Sequence, residues 1–348
     1  MKLEVDVPVN GNPYHYTSPL RQPDLFFGRV GVLEEIDACL GQPLSGPLLL
    51  VGEVRSGRSS LLYRLKARQA QAAVPLPVAL IDLSQLTADN LSLLVWEMGK
   101  TAVSQWTPAD TQTPTLDKTG FIAAPLPAFR DQCLTAVLPP VTTKSPEPSL
   151  RLLLLADNID ALLPTLAKNN ISPALFNQFW EMLLAADVGL IMTCTAAGQT
   201  ALAEYLPLWQ QAHVVTIGPL DKAAALALIR QPTDYTIFQD VADYIYALTQ
   251  GSAYEIQYLC YQLQQYRQEA ELGRLTVADV VYVAGRGSVN GRLSHKQSQW
   301  PLYTLPPGTR SAAPPGATNT KGNGRWRVWV VLAAILLIVM VVLAFNLL

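Results

Sequence analysis

Gly46-Pro47-Leu48-Leu49-Leu50-Val51-Gly52-Glu53-Val54-Arg55-Ser56-Gly57-Arg58-Ser59-Ser60-Leu61-Leu62-Tyr63-Arg64-Leu65 joins an apolar run, a glycine-bounded loop and a segment of helical spacing. Strand, loop and helix in that order are the layout of a phosphate-binding P-loop, with arginine rather than lysine at position 58. Gly52 and Gly57 let backbone N–H groups turn toward phosphate oxygens, and the dipole of the following helix adds to the attraction. Arg58 carries lysine's charge on a planar fork and a longer stem. Ser59 supplies the hydroxyl expected on Mg²⁺, and Ser60 follows it in the same turn. Arg55, inside the loop, is read as solvated, with a phosphate contact as the alternative.

Outward from this stretch the apolar runs recur. Val78–Leu83, Arg151–Asp157, Val188–Cys194 and Val214–Ile217 each read as a strand covered on both faces of a parallel sheet. Helical spacing separates them at Ser59–Gln71, Ala88–Ser104 and Leu175–Ala186. This alternation predicts an α/β domain over residues 25–219, built on a parallel five-stranded sheet with right-handed crossovers. Residues 1–24 read as an extended lead-in, broken by Asn12-Pro13, Ser18-Pro19 and Gln22-Pro23. Residues 107–125, rich in Thr and Pro, read as a surface loop or insertion, and 139–148 as a second loop. From Asp221 the pattern is purely helical, predicting a small helical domain over 220–284.

A second acidic position belongs with the P-loop. Asp157 closes the run Leu152-Leu153-Leu154-Leu155-Ala156, where P-loop enzymes place the acid that helps hold Mg²⁺. Asn158 follows it; an amide orients a water but cannot take its proton. Asp160 is read as capping the segment Ala161-Leu162-Leu163, with a substitute general base as the alternative. Thr193, at the end of the fourth strand, is a candidate contact to the γ-phosphate. His15, His213 and His295 are far apart and read as carrying no chemistry. Cys39, Cys133, Cys194 and Cys260 show no metal or disulfide spacing and fit a reducing compartment.

Net charge is −2, yet Asp279 is the last acid, and Arg286, Arg292, Lys296, Arg310, Lys321, Arg325 and Arg327 all follow it. An acidic body with a basic tail argues against a nucleic-acid partner. Residues 285–325, rich in Gly, Pro, Ser, Thr and Asn, read as a flexible basic linker. Val328–Phe345 then runs without charge, and with Asn346-Leu347-Leu348 it reaches about 30 Å as a helix, a bilayer core. Residues 326–348 therefore read as a single C-terminal transmembrane helix, with Trp326 and Trp329 at the interface. The positive charges on its N-terminal side place the rest of the chain in the cytoplasm.

Taken in order, Asn12-Pro13-Tyr14, Phe26-Phe27-Gly28-Arg29, the P-loop, the strand to Asp157, Ile217-Gly218-Pro219-Leu220 and Thr249-Gln250-Gly251-Ser252-Ala253-Tyr254-Glu255-Ile256-Gln257 resemble the prokaryotic AAA-type ATPases akin to the STAND class of signalling NTPases. The resemblance covers residues 12–283. It implies an AAA+-like sheet with a helical lid, ATP and Mg²⁺ as cofactors, and Phe27, Gly28 and Arg29 beside the adenine. Three positions depart from the family pattern: Arg58, Asn158, and Ala253 where the lid motif has proline. No second arginine is assigned as a γ-phosphate sensor; Arg230, at the end of a lid helix, is a candidate. The reading that follows is a membrane-tethered nucleotide switch with slow or absent hydrolysis, acting on an unnamed protein partner. The alternatives are an active ATPase that remodels its target as a homo-oligomer, and a scaffold that has lost its nucleotide.

Overall fold

The computed structural model describes residues 12–41, 46–86, 89–108, 110–138, 150–169, 171–205 and 207–289. Strands β1 (Leu48–Gly52), β2 (Val78–Asp82), β3 (Leu152–Asp157), β4 (Val188–Cys194) and β5 (His213–Ile217) form one sheet in the order β2-β3-β4-β1-β5. Every pairing in it is parallel.

The strands are apolar throughout because both faces are covered, and the two-residue period of a strand divides their side chains between two cores. Helix α1 (Val30–Leu40) precedes β1, and α2 (Arg58–Ala70) leads from the P-loop toward β2. On their side, Leu48, Leu50, Leu153, Leu155 and Ile191 pack with Leu33, Ile36, Leu61, Leu62 and Leu65. On the other side, Leu49, Val51, Leu152, Leu154, Leu190 and Met192 meet α3 (Leu91–Trp106), which follows β2. Edge strand β5 alternates instead, with Val215 and Ile217 buried and His213, Val214 and Thr216 exposed.

Residues 107–125 are not all loop. Helix α4 (Lys118–Ala123) lies within them, followed by α5 (Pro125–Phe129), a π-helical stretch at Arg130–Leu134, and α6 (Thr135–Val137). The Asp117 carboxylate caps α4, accepting from the backbone of Thr119 at 3.0 Å and Gly120 at 3.1 Å. Phe121 is fully buried and meets Trp96 edge-on at 5.2 Å. The segment is thus part of the core on the α3 side. Helices α7 (Leu163–Lys168), α8 (Pro173–Ala185) and α9 (Ala196–Tyr205) complete the sheet domain.

Helices α10 (Lys222–Arg230), α11 (Gln239–Thr249), α12 (Ala253–Glu269) and α13 (Val277–Val289) form the helical segment called the lid below, with its own core. α13 runs past the predicted end at Ala284 into the segment read as linker. The lead-in is not a separate extension: Tyr14 lies 1% exposed within the lid core, and its hydroxyl donates to the Ile229 carbonyl. Asn12 Nδ2 donates to the Tyr261 carbonyl at 3.1 Å, and the His15 N–H to Gln257 Oε1 at 2.9 Å. Farther along, the Leu20 N–H donates to Ser60 Oγ at 3.0 Å. Residues 12–20 are therefore a strap from the lid to the first turn of α2.

The loop at 139–148, His295, the linker from residue 290 and the membrane segment 326–348 lie outside the described residues. Among the described residues, no helix is long and apolar enough to cross a membrane.

Candidate nucleotide site

The loop between β1 and α2 keeps its two glycines for different reasons. Gly57 stands at the N-cap of α2 with φ 94°, a left-handed conformation that costs any side chain strain. Gly52 has no room: a Cβ there would lie 2.6 Å from Ser56 Oγ and 2.9 Å from the Ile217 carbonyl oxygen. No side chain caps α2, so its first N–H groups keep their free donors and the positive end of the helix dipole.

Arg58 opens that helix and is 8% exposed, yet its Nη1 has no hydrogen-bond partner among the described residues. A buried donor left unpaired costs about 1–3 kcal/mol, so a position built this way calls for an acceptor. Ser56 Oγ, in the same loop, is buried and equally unpartnered. A phosphate group supplies several acceptor oxygens, and the loop fits one.

Behind the loop the strand ends bring the acids together. The Ser59 hydroxyl donates to the Asp157 carboxylate, and Thr193 Oγ1 donates to Asp157 Oδ1 at 2.5 Å. Burial raises the Asp157 pKa above the ordinary carboxylate value; the Ser59 and Thr193 hydrogen bonds oppose the rise, the nearby Asp82 charge adds to it, and Arg58 opposes it. A cation between Ser59 and Asp157 fits this set, and these two would hold Mg²⁺. Among the described residues no group of His, Cys, Asp and Glu could hold a metal on protein side chains alone. Mg²⁺ in phosphate sites commonly takes one or two protein ligands and completes its shell with phosphate and water.

Asn158 has φ 57° and is pinned at both ends. Its N–H donates to Thr193 Oγ1 at 2.9 Å, and its Nδ2 donates to Asp82 Oδ1 at 3.1 Å. Asp160 does not cap its own segment. Its Oδ2 accepts from the Thr195 N–H at 2.9 Å and the Thr195 hydroxyl at 2.6 Å, fixing the entry to α9.

A cavity of about 520 Å³, within the range of ligand pockets, lies against the P-loop. Its floor is Arg55 and Gly57 through Ser60, with Asn158 at one side. The strap residues from His15 to Leu20 line it, and Ala253, Tyr254 and Gln257 of α12 close it from the lid. Arg55 is exposed, as the solvated reading expects, and its guanidinium lies 4.2 Å from the centre of the Tyr254 ring. Tyr16 meets Tyr254, Tyr258 and Tyr261 edge-on at 6.2, 5.0 and 5.1 Å.

The structure thus brings together Gly57, Arg58, Ser59, Ser60 and Asn158 at the cavity, with Gly52 and Asp157 beside it. Thr193 does not line it; it is fully buried and its hydroxyl is spent on Asp157. Phe27, Gly28 and Arg29 do not line it either. Phe27 packs on the lid core, and a Cβ on Gly28 would stand 2.4 Å from that of Ala224 in α10. Arg29 is a clamp, donating from Nη2 to the Ser56 carbonyl at 2.9 Å and from Nη1 to the Gly218 carbonyl. Arg230 lies at the far end of α10, away from the cavity lining. His15, read as carrying no chemistry, belongs to the lining, as do Tyr16, Tyr254 and Gln257. The one local signal for these was Tyr254, Tyr258 and Tyr261 at helical spacing on a single face of α12.

No family model and no curated relative matches the sequence. Solved structures do. The Aeropyrum pernix ORC2 protein, in ADPNP–ADP complexes, has a TM-score of 0.52 at 13% identity, covering 74% of this chain and 68% of that one. Drosophila ORC bound to DNA has a TM-score of 0.52 at 13% identity, covering 83% and 70%. The Aeropyrum pernix ORC1 protein in complex with DNA has a TM-score of 0.51 at 15% identity, covering 76% and 66%. At such identity the likeness is one of fold alone: a parallel five-stranded α/β sheet followed by a helical segment.

Proposed function

We propose that the chain is an ATP-binding switch of the STAND-like signalling kind, tethered to a membrane and cutting its nucleotide slowly. The observation that carries this reading is the buried, unpartnered Nη1 of Arg58, a residue lining a P-loop cavity shared with the lid. Arg58, the first N–H groups of α2 and Ser56 hold the phosphates. Ser59 and Asp157 would hold Mg²⁺, which would supply neutralisation of the phosphate charge. Asn158 orients a water without taking its proton, and this keeps turnover slow. The lid meets the same cavity through Tyr254 and Gln257, so its position reports occupancy to a protein partner.

The tether is residues 326–348, and the domains ahead of it sit in the cytoplasm. The acidic body argues against a nucleic-acid partner. ORC1 and the Drosophila complex hold DNA, so the fold itself carries no such exclusion, and a duplex-DNA titration tests the charge argument.

Calorimetry on the full chain tests the central claim. ATP with Mg²⁺ is expected to bind, and Arg58→Ala to weaken binding tenfold or more. Absence of binding at millimolar nucleotide refutes it. Deleting 326–348 is expected to move the protein from the membrane to the soluble fraction; retention at high salt places the anchor elsewhere.

A further inference from the structure

Position 158 lacks a carboxylate, but a carboxylate reaches it. Asp82 ends β2 in register with Asp157 at the end of β3, which sets its side chain beside the residue that follows Asp157. Its Oδ1 accepts from Asn158 Nδ2 at 3.1 Å, from the Ser84 N–H at 3.0 Å and from the Ser84 hydroxyl at 2.6 Å. A carboxylate only accepts, so the amide must turn its nitrogen to Asp82. The remaining polar atom of the amide, Oδ1, is then an acceptor held on a residue that lines the cavity. The backbone of Asn158 cannot swing to undo this, because its N–H is held by Thr193.

We propose that Asp82 is a positioning residue for nucleotide hydrolysis, fixing the Asn158 amide so that its oxygen accepts a hydrogen bond from the attacking water. The charge on Asp82 polarises the amide it accepts from, which makes Oδ1 the stronger acceptor. As the water oxygen bonds to the γ-phosphorus, the bond to the β–γ bridging oxygen breaks and its electron pair leaves with ADP. The water's proton passes to a γ-phosphoryl oxygen, so the products are ADP and dihydrogen phosphate and no side-chain base is consumed. This inference rests on the nucleotide-binding reading above.

A purely local role for Asp82 would be to cap the short turn Leu83–Gln85, since its carboxylate accepts from the Ser84 N–H. Asn and Ser cap nearly as well as Asp. Asp82→Asn and Asp82→Ser therefore keep the cap and remove the charge. In both, kcat for ATP is expected to fall roughly tenfold to a hundredfold, the loss of one charge-assisted hydrogen bond, with the dissociation constant for Mg–ATP unchanged. The swapped pair Asp82→Asn with Asn158→Asp is expected to recover turnover. In nucleotide-free full chain labelled with ¹⁵N-asparagine, the Asn158 side-chain protons are expected downfield, returning to the free-amide position in Asp82→Ser. Unchanged kcat in the capping variants, or wild-type protein that binds Mg–ATP with no turnover, overturns the inference and leaves the binding reading intact. Failure to bind Mg–ATP overturns both.

Discussion

Replacing Arg58 by methionine separates what the side chain does for the fold from what it does for a ligand. Methionine keeps the length and the packing of the stem but removes the guanidinium. In the nucleotide-free protein two effects oppose each other. The unpartnered Nη1, worth about 1–3 kcal/mol of lost hydrogen bonding, is relieved. Asp157 loses a neighbouring cation that favours its charged form, the smallest of the effects acting on that carboxyl, so this loss does not cancel the gain. Nucleotide-free stability is therefore expected to hold or rise, by up to about 3 kcal/mol. With saturating Mg–ATP the balance differs, because the guanidinium then makes charge-assisted bonds worth about 1.5–3 kcal/mol. For a domain of this size 1 kcal/mol moves the melting temperature by about 2–4 °C, so the ATP-induced rise should shrink by about 3–12 °C. Paired thermal melts of wild type and Arg58→Met, with and without Mg–ATP, measure both arms. Equal ATP-induced rises in the two proteins refute the reasoning. So does a nucleotide-free loss above about 3 kcal/mol, which would make Arg58 a structural counter-ion to Asp157.

Two further perturbations test the lid and the core. Gly251 has φ 78°, its carbonyl accepts from the Leu220 N–H at 2.8 Å, and a Cβ there would lie 2.3 Å from the Leu220 carbonyl oxygen. Gly251→Ala is expected to cost about 3 kcal/mol in urea denaturation, about 1–2 of it from the left-handed backbone; a loss under 1 kcal/mol contradicts the geometry. Burial pushes the Cys133, Cys194 and Cys260 thiols up to about 12 from the usual 9.0. At pH 8 the thiolate fraction is on the order of 10⁻⁴, so iodoacetamide should label the half-buried Cys39 first. Below pH 9 the linkage is silent; above it the unfolded chain loses its thiol protons first, so stability should fall as pH rises toward 12. A melting temperature that holds steady over that window contradicts the burial of these thiols.

The sheet was legible because a strand covered on both faces needs apolar residues throughout, and Leu48–Val51 and Leu152–Ala156 carry nothing else. The turn from β1 into α2 was legible because strand, glycine-bounded loop and helix sit within one short stretch. Helix α4 was not: at six residues it is under two turns, too short for a 3.6-residue period to show, and its signature is the cap at Asp117. The strap was not legible either, because its hydrogen bonds to Ile229, Tyr261 and Gln257 span more than 200 residues of chain. The contact between Asn158 and Asp82 depends on the register of β2 against β3, which no local pattern specifies. Ala253 departs from the family motif at little cost. It stands at the first position of α12, after the N-cap Ser252, where proline is merely well tolerated.

The placement of the cavity makes occupancy and lid position hard to separate. Its walls come from the P-loop, from a strap bonded to both lid and α2, and from the start of α12. A ligand touching all of these favours whichever arrangement lets it touch them together, and it shifts the population by its differential affinity alone. One contact that joins loop to lid is the stacking of Arg55 on Tyr254. A cation–π contact at so exposed a residue is worth about 0.5–1 kcal/mol. A phosphate bonded by Arg58 and the α2 N-terminus exceeds that severalfold, at about 1.5–3 kcal/mol per charged hydrogen bond. On the proposed reading, a bound nucleotide would outweigh that contact, and a latch of that strength would yield to its phosphates.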